Sequence, residues 1–378
     1  LWASAVLLTE RMVQPMDKPT VQDIFHRFYP AYLDQYSPSP VQAKVAHNIM
    51  NCKTGAYGAN VCVCEDCGFV QIHYNSCRNR CCPMCQAVPK VMWMDARRED
   101  VLDAPYFHLV FTVPDILNPV IYSNQRLLYD ALYHAASSTI SELTADPKHL
   151  GAKVGYICIL HTWGSEMNFH PHIHTILLGG GLASNNQWKD NGENFFLPIR
   201  VISKMFRGKY LEELKRLWEE DKLVFHGTAE KFRNHYTFKE LLDSCYGMDW
   251  IPHCKKTFNG AQTVIKYLGK YTHRIAVSNH RIVRMDDDTV TFLVKDYRNE
   301  GQWKELTISG VEFVRRFLMH VPPRRFVRIR HYGLLCSRTK SQKLTLCRNL
   351  LGCKKYLSKL RDMEMPEILE HLYGIKVC

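Results

Sequence analysis

Asn168-Phe169-His170-Pro171-His172-Ile173-His174-Thr175-Ile176-Leu177-Leu178-Gly179-Gly180-Gly181 is the stretch that decides how this chain reads. Its apolar run predicts a strand. Side chains alternate faces along a strand, so His172 and His174 point the same way, roughly 7 Å apart along the backbone. A lone histidine in a core is usually a satisfied polar group. Two imidazoles on one face of an apolar strand are half of a metal site.

The neighbouring segments place this strand in a sheet. Tyr156 to His161 (YICILH) predicts a second strand, joined to the first by the short loop Thr162 to His170, consistent with adjacent antiparallel strands. Tyr106 to Val113 predicts another, and Thr289 to Lys295 with Trp303 to Ile308 a hairpin around Asn299-Glu300-Gly301. Helices are expected near Asn124 to Leu143, Tyr210 to Glu220 and Gly260 to Tyr271. Residues from about 20 to 55 also look helical, with Ile24, Phe25, Phe28, Tyr32 and Leu33 at helical spacing. The fold class is therefore α+β, an antiparallel sheet with helices packed on it.

In the antiparallel pairing His161, at the end of its strand, lies near His172 and becomes the third candidate ligand. Gln262, Glu166 and His273 are alternatives, and His170 reads as a supporting residue. Three imidazoles with open coordination positions suit Mn²⁺; Mg²⁺ prefers oxygen but is tolerated in active sites. An ion held this way can polarise a phosphoryl oxygen.

Fifteen cysteines are many, and eight fall between Cys52 and Cys85. Cys64-x2-Cys67 is followed, after fourteen residues, by Cys82-x2-Cys85. Two such pairs at this separation match a zinc ribbon, in which four thiolates close a tetrahedron. The expected site is closed and structural, with Cys62, Cys77 and Cys81 able to replace a ligand. It would present Arg78 and Arg80 to DNA. A secreted disulfide scaffold is a poor fit, because the chain is long and its apolar first eight residues lack a basic n-region.

Net charge is +12, and fourteen Lys or Arg but no Asp or Glu lie between Phe313 and Arg361. A charge this localised points to a polyanion partner. Arg324, Arg325, Arg328 and Arg330 are the cations expected to contact phosphates there, interleaved with apolar residues that let the segment fold. No apolar run is long enough to span a membrane. A P-loop is also missing from the sequence.

Tyr267 and Tyr271, four apart on the expected helix, share a face. Such a pair alone is more often core packing. Tyrosine is also a covalent nucleophile, and Lys266, Lys270 and Arg274 beside it could stabilise a scissile phosphate.

Together these segments resemble the HUH endonuclease superfamily, and more closely the two-tyrosine rolling-circle transposases of the insertion sequence 91 family. The resemblance is carried by CEDCGFVQIHYNSCRNRCCPMCQ (64 to 86), YFHLVFTVP (106 to 114), LHTWGSEMNFHPHIHTILLGGGL (160 to 182), KYLGKYTHRIAVSNHRI (266 to 282) and FVRRFLMHVPPRRFVRIRHYGLL (313 to 335), in the family's order. It implies a HUH-like sheet preceded by a helical and zinc-binding module (1–95), spanning a catalytic domain (100–320) and followed by a basic helical DNA-binding tail (321–378). It implies that His172 and His174 hold Mg²⁺ or Mn²⁺, that Tyr267 and Tyr271 are paired nucleophiles, and that the partners are single-stranded DNA at transposon ends and target DNA. It places the protein in the bacterial cytoplasm, at the nucleoid. Cys81 stands where the family pattern has a histidine. The Leu start and the ending at Cys378 suggest a truncated frame. A plasmid replication initiator or relaxase with the same chemistry, and a non-enzymatic zinc-ribbon DNA-binding protein, are the competing readings.

Overall fold

The computed structural model describes residues 18–190, 197–250, 252–258, 264, 269, 275–296 and 299–374. In chain order, helices α1 (Val21–Gln35) and α2 (Pro40–Met50) lead into the hairpin β1 (Ala59–Val63) and β2 (Val70–Tyr74), then α3 (Ala87–Arg98) and β3 (Tyr106–Thr112). Helix α4 (Gln125–Ala145) precedes β4 (Lys153–Trp163), β5 (Phe169–Leu182) and β6 (Trp188–Asp190). After α5 (Ile199–Glu219) come β7 (His253–Phe258), β8 (Ile282–Met285), β9 (Thr289–Asp296) and β10 (Gln302–Ser309). Helix α6 (Gly310–Met319), β11 (Ile329–Gly333) and α7 (Lys340–Leu351) follow.

The central sheet runs β11-β4-β5-β3-β7, antiparallel at every contact, with β6 attached to the end of β5. Alternation sorts its side chains. Phe107, Leu109 and Phe111 of β3 and Ile173 and Leu177 of β5 face α4 and α5 in one core. Ile157 and Ile159 of β4, with Ile176 and Leu178 of β5, face the other way, against Val264, α7 and, through Trp93 and Met94, α3. Both faces are covered, which is why these strands are nearly continuous apolar runs. Burying each large apolar side chain contributes about 1.5–3 kcal/mol. The glycine run ending β5 has a packing cause: a Cβ on Gly181 would stand 2.4 Å from the Lys153 carbonyl oxygen, and one on Gly180 2.4 Å from the Trp188 ring.

A second core joins α1, α2 and the cysteine segment to the sheet β10-β9-β8 and to α6. Helix α1 starts at a capping box in which Thr20 and Asp23 satisfy each other's backbone N–H, and α2 at one made by Ser39 and Gln42. The expected tail is not helical throughout. Ile329–Gly333 pairs with β4 as an edge strand of the central sheet, its Ile329 packing against one core and its Tyr332 against the other. Among the described residues no helix is long and apolar enough to cross a membrane.

Candidate metal centres

His161 lies directly opposite His172 in the β4–β5 pairing, and Ile159 opposite His174. The three imidazoles are buried, and their ligand nitrogens lie within 4.8 Å of one another. They occupy the sheet face that carries Ile176 and Leu178, just beyond the point where that core ends. The Nε2 atoms of His172 and His174 are 3.0 Å apart. That equals the edge of an octahedron with bonds of about 2.1 Å. The opposite ring nitrogens are committed elsewhere. Nδ1 of His172 donates to the His170 carbonyl at 2.7 Å, and Nδ1 of His174 lies 2.9 Å from Nε2 of His108 on β3. Burial lowers His172 to a pKa of about 4, and burial with the neighbouring imidazoles takes His174 well below its usual value. Neutral rings with oriented lone pairs are what a divalent cation requires.

Of the alternatives to His161, Glu166 is exposed on the β4–β5 loop, outside the cluster. Gln262 and His273 lie outside the described residues. His170 supports the site through its carbonyl while its ring pairs with Asp115 at 3.1 Å. The sequence reading missed His108. Its signal was its place two residues before Val110, the residue that pairs with His174.

The cysteine cluster differs from the expected one. Four thiols converge within 4.8 Å: Cys52, Cys77, Cys82 and Cys85. Cys77 Sγ and Cys85 Sγ are 3.8 Å apart, the edge of a tetrahedron with Zn–S bonds of about 2.3 Å. The backbone N–H of Cys77 donates to Cys52 Sγ and that of Asn79 to Cys77 Sγ, both at 3.5 Å. Cys64 and Cys67 do not join them. They sit beyond the ends of β1 and β2, and five residues of strand put them roughly 15 Å from the base of that hairpin at Ala59 and Tyr74. There they form a separate turn: the Gly68 N–H donates to the Cys64 carbonyl, Gly68 takes a positive φ of 69°, and the backbone N–H groups of Cys67 and Asp66 lower the Cys64 thiol.

The expected phosphate contacts fall into different situations. Arg78, Arg324 and Arg325 are exposed. Arg80 donates to the Phe326 carbonyl at 2.6 Å, tying the cysteine loop to the segment before β11. Arg328 is buried, with its guanidinium 5.9 Å from the Trp163 ring. Arg330 is committed to structure: it pairs with Asp130 and stacks 4.0 Å over the Tyr133 ring. Tyr267, Tyr271, Lys266, Lys270 and Arg274 lie outside the described residues, while Val264 and Gly269 between and beside them are helical and buried.

Comparison with known proteins places this geometry. Residues 155–343 match a family described as "Putative transposase", and residues 24–113 match "Transposase zinc-binding domain", the domain of IS91 transposases. The chain is 42% identical over 336 residues to the "Putative transposase y4qJ" of Sinorhizobium fredii, covering 88% of this chain and 84% of that protein. It is 30% identical over 309 residues to the transposase for insertion sequence element IS801 of Pseudomonas savastanoi pv. phaseolicola, covering 80% of this chain and 72% of that one. Among solved structures it is similar to the conjugative relaxase TrwC in complex with oriT DNA, at 12% identity over 46% of this chain and 74% of that one. The TM-score there is 0.25, too low to carry an argument. Two family models and two long, well-covered relatives agree: the chain belongs to the IS91 and IS801 type of transposase, with its zinc-binding domain at the N-terminal side of the transposase region.

Proposed function

We propose that the protein moves its element by nicking and rejoining single-stranded DNA through tyrosyl intermediates, as a HUH endonuclease acting by a rolling-circle route. The observation that carries this reading is the cluster His161, His172 and His174: buried, neutral, and fixed by hydrogen bonds on the far side of two of the rings. A Mg²⁺ or Mn²⁺ ion held there would polarise a phosphoryl oxygen of the scissile phosphate. The phenolic oxygen of Tyr267 or Tyr271 forms a bond to phosphorus as the bond to the 3′ oxygen breaks. The phenol proton is released, and the leaving oxygen takes one up to become a 3′-OH. The product is a 5′-phosphotyrosine, which keeps the phosphodiester's energy without ATP. The second tyrosine repeats the step at the target or the other end, and the free 3′-OH resolves the covalent link by attacking phosphorus and releasing the tyrosine.

In this reading Cys52, Cys77, Cys82 and Cys85 hold a structural zinc ion. Residues 1–95, 100–320 and 321–378 are functional regions for zinc, chemistry and DNA contact, not separate folding units. The site of action is the bacterial nucleoid. Mixing the protein with single-stranded element-end DNA and Mn²⁺ is expected to give a denaturation-resistant adduct. Tyr267→Phe and Tyr271→Phe together should abolish it, as should His174→Ala, with the thermal unfolding of the tyrosine variants unchanged. Failure to form an adduct with any element-end sequence would overturn the chemistry and leave a DNA-binding transposase subunit.

A further inference from the structure

One cleft is not used by the chemistry above. It holds about 360 Å³ between the cysteine loop and the segment leading into β11, and Arg80, Gln86, Arg325, Val327, Arg328 and Ile329 line it. Two distant parts of the sequence build it. Arg80 stands between the thiols of Cys77 and Cys82, and Gln86 immediately follows Cys85, so both are carried by the loop that the thiol cluster closes. The opposite wall comes from the acid-free stretch between Phe313 and Arg361. The Arg80 hydrogen bond to the Phe326 carbonyl holds the two walls together.

From this lining we infer that the cleft takes one unpaired nucleotide of the DNA strand being processed, an inference that rests on the single-strand reading above. Three guanidiniums and no carboxylate line it, so it selects an anion. Its volume is at the lower end of small-molecule sites, which suits one nucleotide and excludes a duplex. Val327 and Ile329 offer apolar surface for a base. The Gln86 amide nitrogen already donates to the Asn79 carbonyl at 2.9 Å, which fixes the side chain. A glutamine so held can read one base edge by hydrogen bonding. A chain of two side chains links the cleft to the histidine cluster. The buried Arg328 of its floor lies 5.9 Å from the Trp163 ring, and Trp163 stacks on His161 with centroids 4.5 Å apart and planes 16° from parallel. A nucleotide in the cleft therefore fixes the position of the strand relative to the scissile phosphate. The zinc loop, on this account, forms one wall of a reading pocket.

The test uses the full-length, zinc-loaded protein and a short single-stranded oligodeoxythymidylate carrying one 5-iododeoxyuridine. Irradiation followed by peptide mapping is expected to place the crosslink on residues 325–329 or on Gln86. Gln86→Ala and Arg325→Ala, both on partly or fully exposed side chains, should each lower that crosslink about tenfold, the worth of one good polar or stacking contact. Overall oligonucleotide affinity should fall less than threefold in Gln86→Ala. Crosslinks confined to other surfaces, or a yield indifferent to both variants, would overturn the pocket while leaving the single-strand reading intact. No binding of the oligonucleotide at all would sink that reading as well. Full competition by micromolar thymidine monophosphate would make the cleft a free-nucleotide site and would overturn its assignment to the strand.

Discussion

His108 shows how far the histidine cluster depends on a residue outside it. It lies on β3, diagonally across from His174 and two residues from Val110, and its ring fixes which nitrogen of His174 points into the site. Outer partners of this kind are worth about 10–100-fold in metal affinity. His108→Ala should therefore weaken Mn²⁺ binding, measured calorimetrically, by that factor, and His108→Gln should recover part of it. His320 belongs to the same neighbourhood: Nε2 donates to the Met167 carbonyl at 3.0 Å, and Nδ1 lies 3.1 Å from Thr162 Oγ1. Burial lowers its pKa to about 4. Between that value and the unfolded value near 6.5 the unfolded chain binds the extra proton, so stability falls as pH drops through this window. In His320→Gln the loss in unfolding free energy between pH 7 and pH 5 should shrink by on the order of 2 kcal/mol. An unchanged pH dependence in denaturant titrations would mean that other groups govern the acid side. His172 and His331, both also near 4, remain in the variant to supply the rest.

At the scale of elements, the thiol cluster is where local spacing and tertiary structure part. Cys52→Ser is expected to cut bound zinc to less than half, by atomic absorption on purified protein, whereas Cys64→Ser should leave this site filled. The reverse pattern would restore the ribbon read from spacing. The strands were legible because their apolar runs and β-branched content are local: β4 and β5 appear where YICILH and HIHTILL stand, and His161 faces His172 as antiparallel pairing requires. The ligand set was not legible in the same way. Cys52 follows a helix and has no CxxC partner, so only the return of the chain at Asn75, whose carbonyl accepts from the Lys53 N–H at 3.1 Å, brings it to Cys77. Arg330 reads from sequence as one more phosphate contact. Its commitment to Asp130 and Tyr133 depends on β11 joining the sheet, which the basic composition of the segment conceals.

Across the whole molecule, the positive charge gathers where two chain regions meet: the cysteine loop with Arg78 and Arg80, and the approach to β11 with Arg324 and Arg325. Single-strand binding should then weaken with salt, with log–log slopes of about 0.7 per phosphate contact. Arg325→Ala should reduce the slope by roughly that amount, and Arg330→Ala should leave it nearly unchanged while lowering thermal stability. Equal slopes for wild type and Arg325→Ala would place the contacts elsewhere. The hairpin β1–β2 lies outside this arrangement. It contains no Lys or Arg, and one side of it is a ladder of Val61 with Ile72 and Val63 with Val70, all at least half exposed. It leaves the body at Cys52–Lys53 and returns at Asn75–Cys77, and both feet are clamped by the same four-thiol cluster and one backbone bond. A clamp at the feet makes the arm modular: its length and sequence can change without disturbing the registry of the metal loop or of the cleft beside it. The neck at 53 and 75 is accordingly the natural junction at which one arm can be exchanged for another.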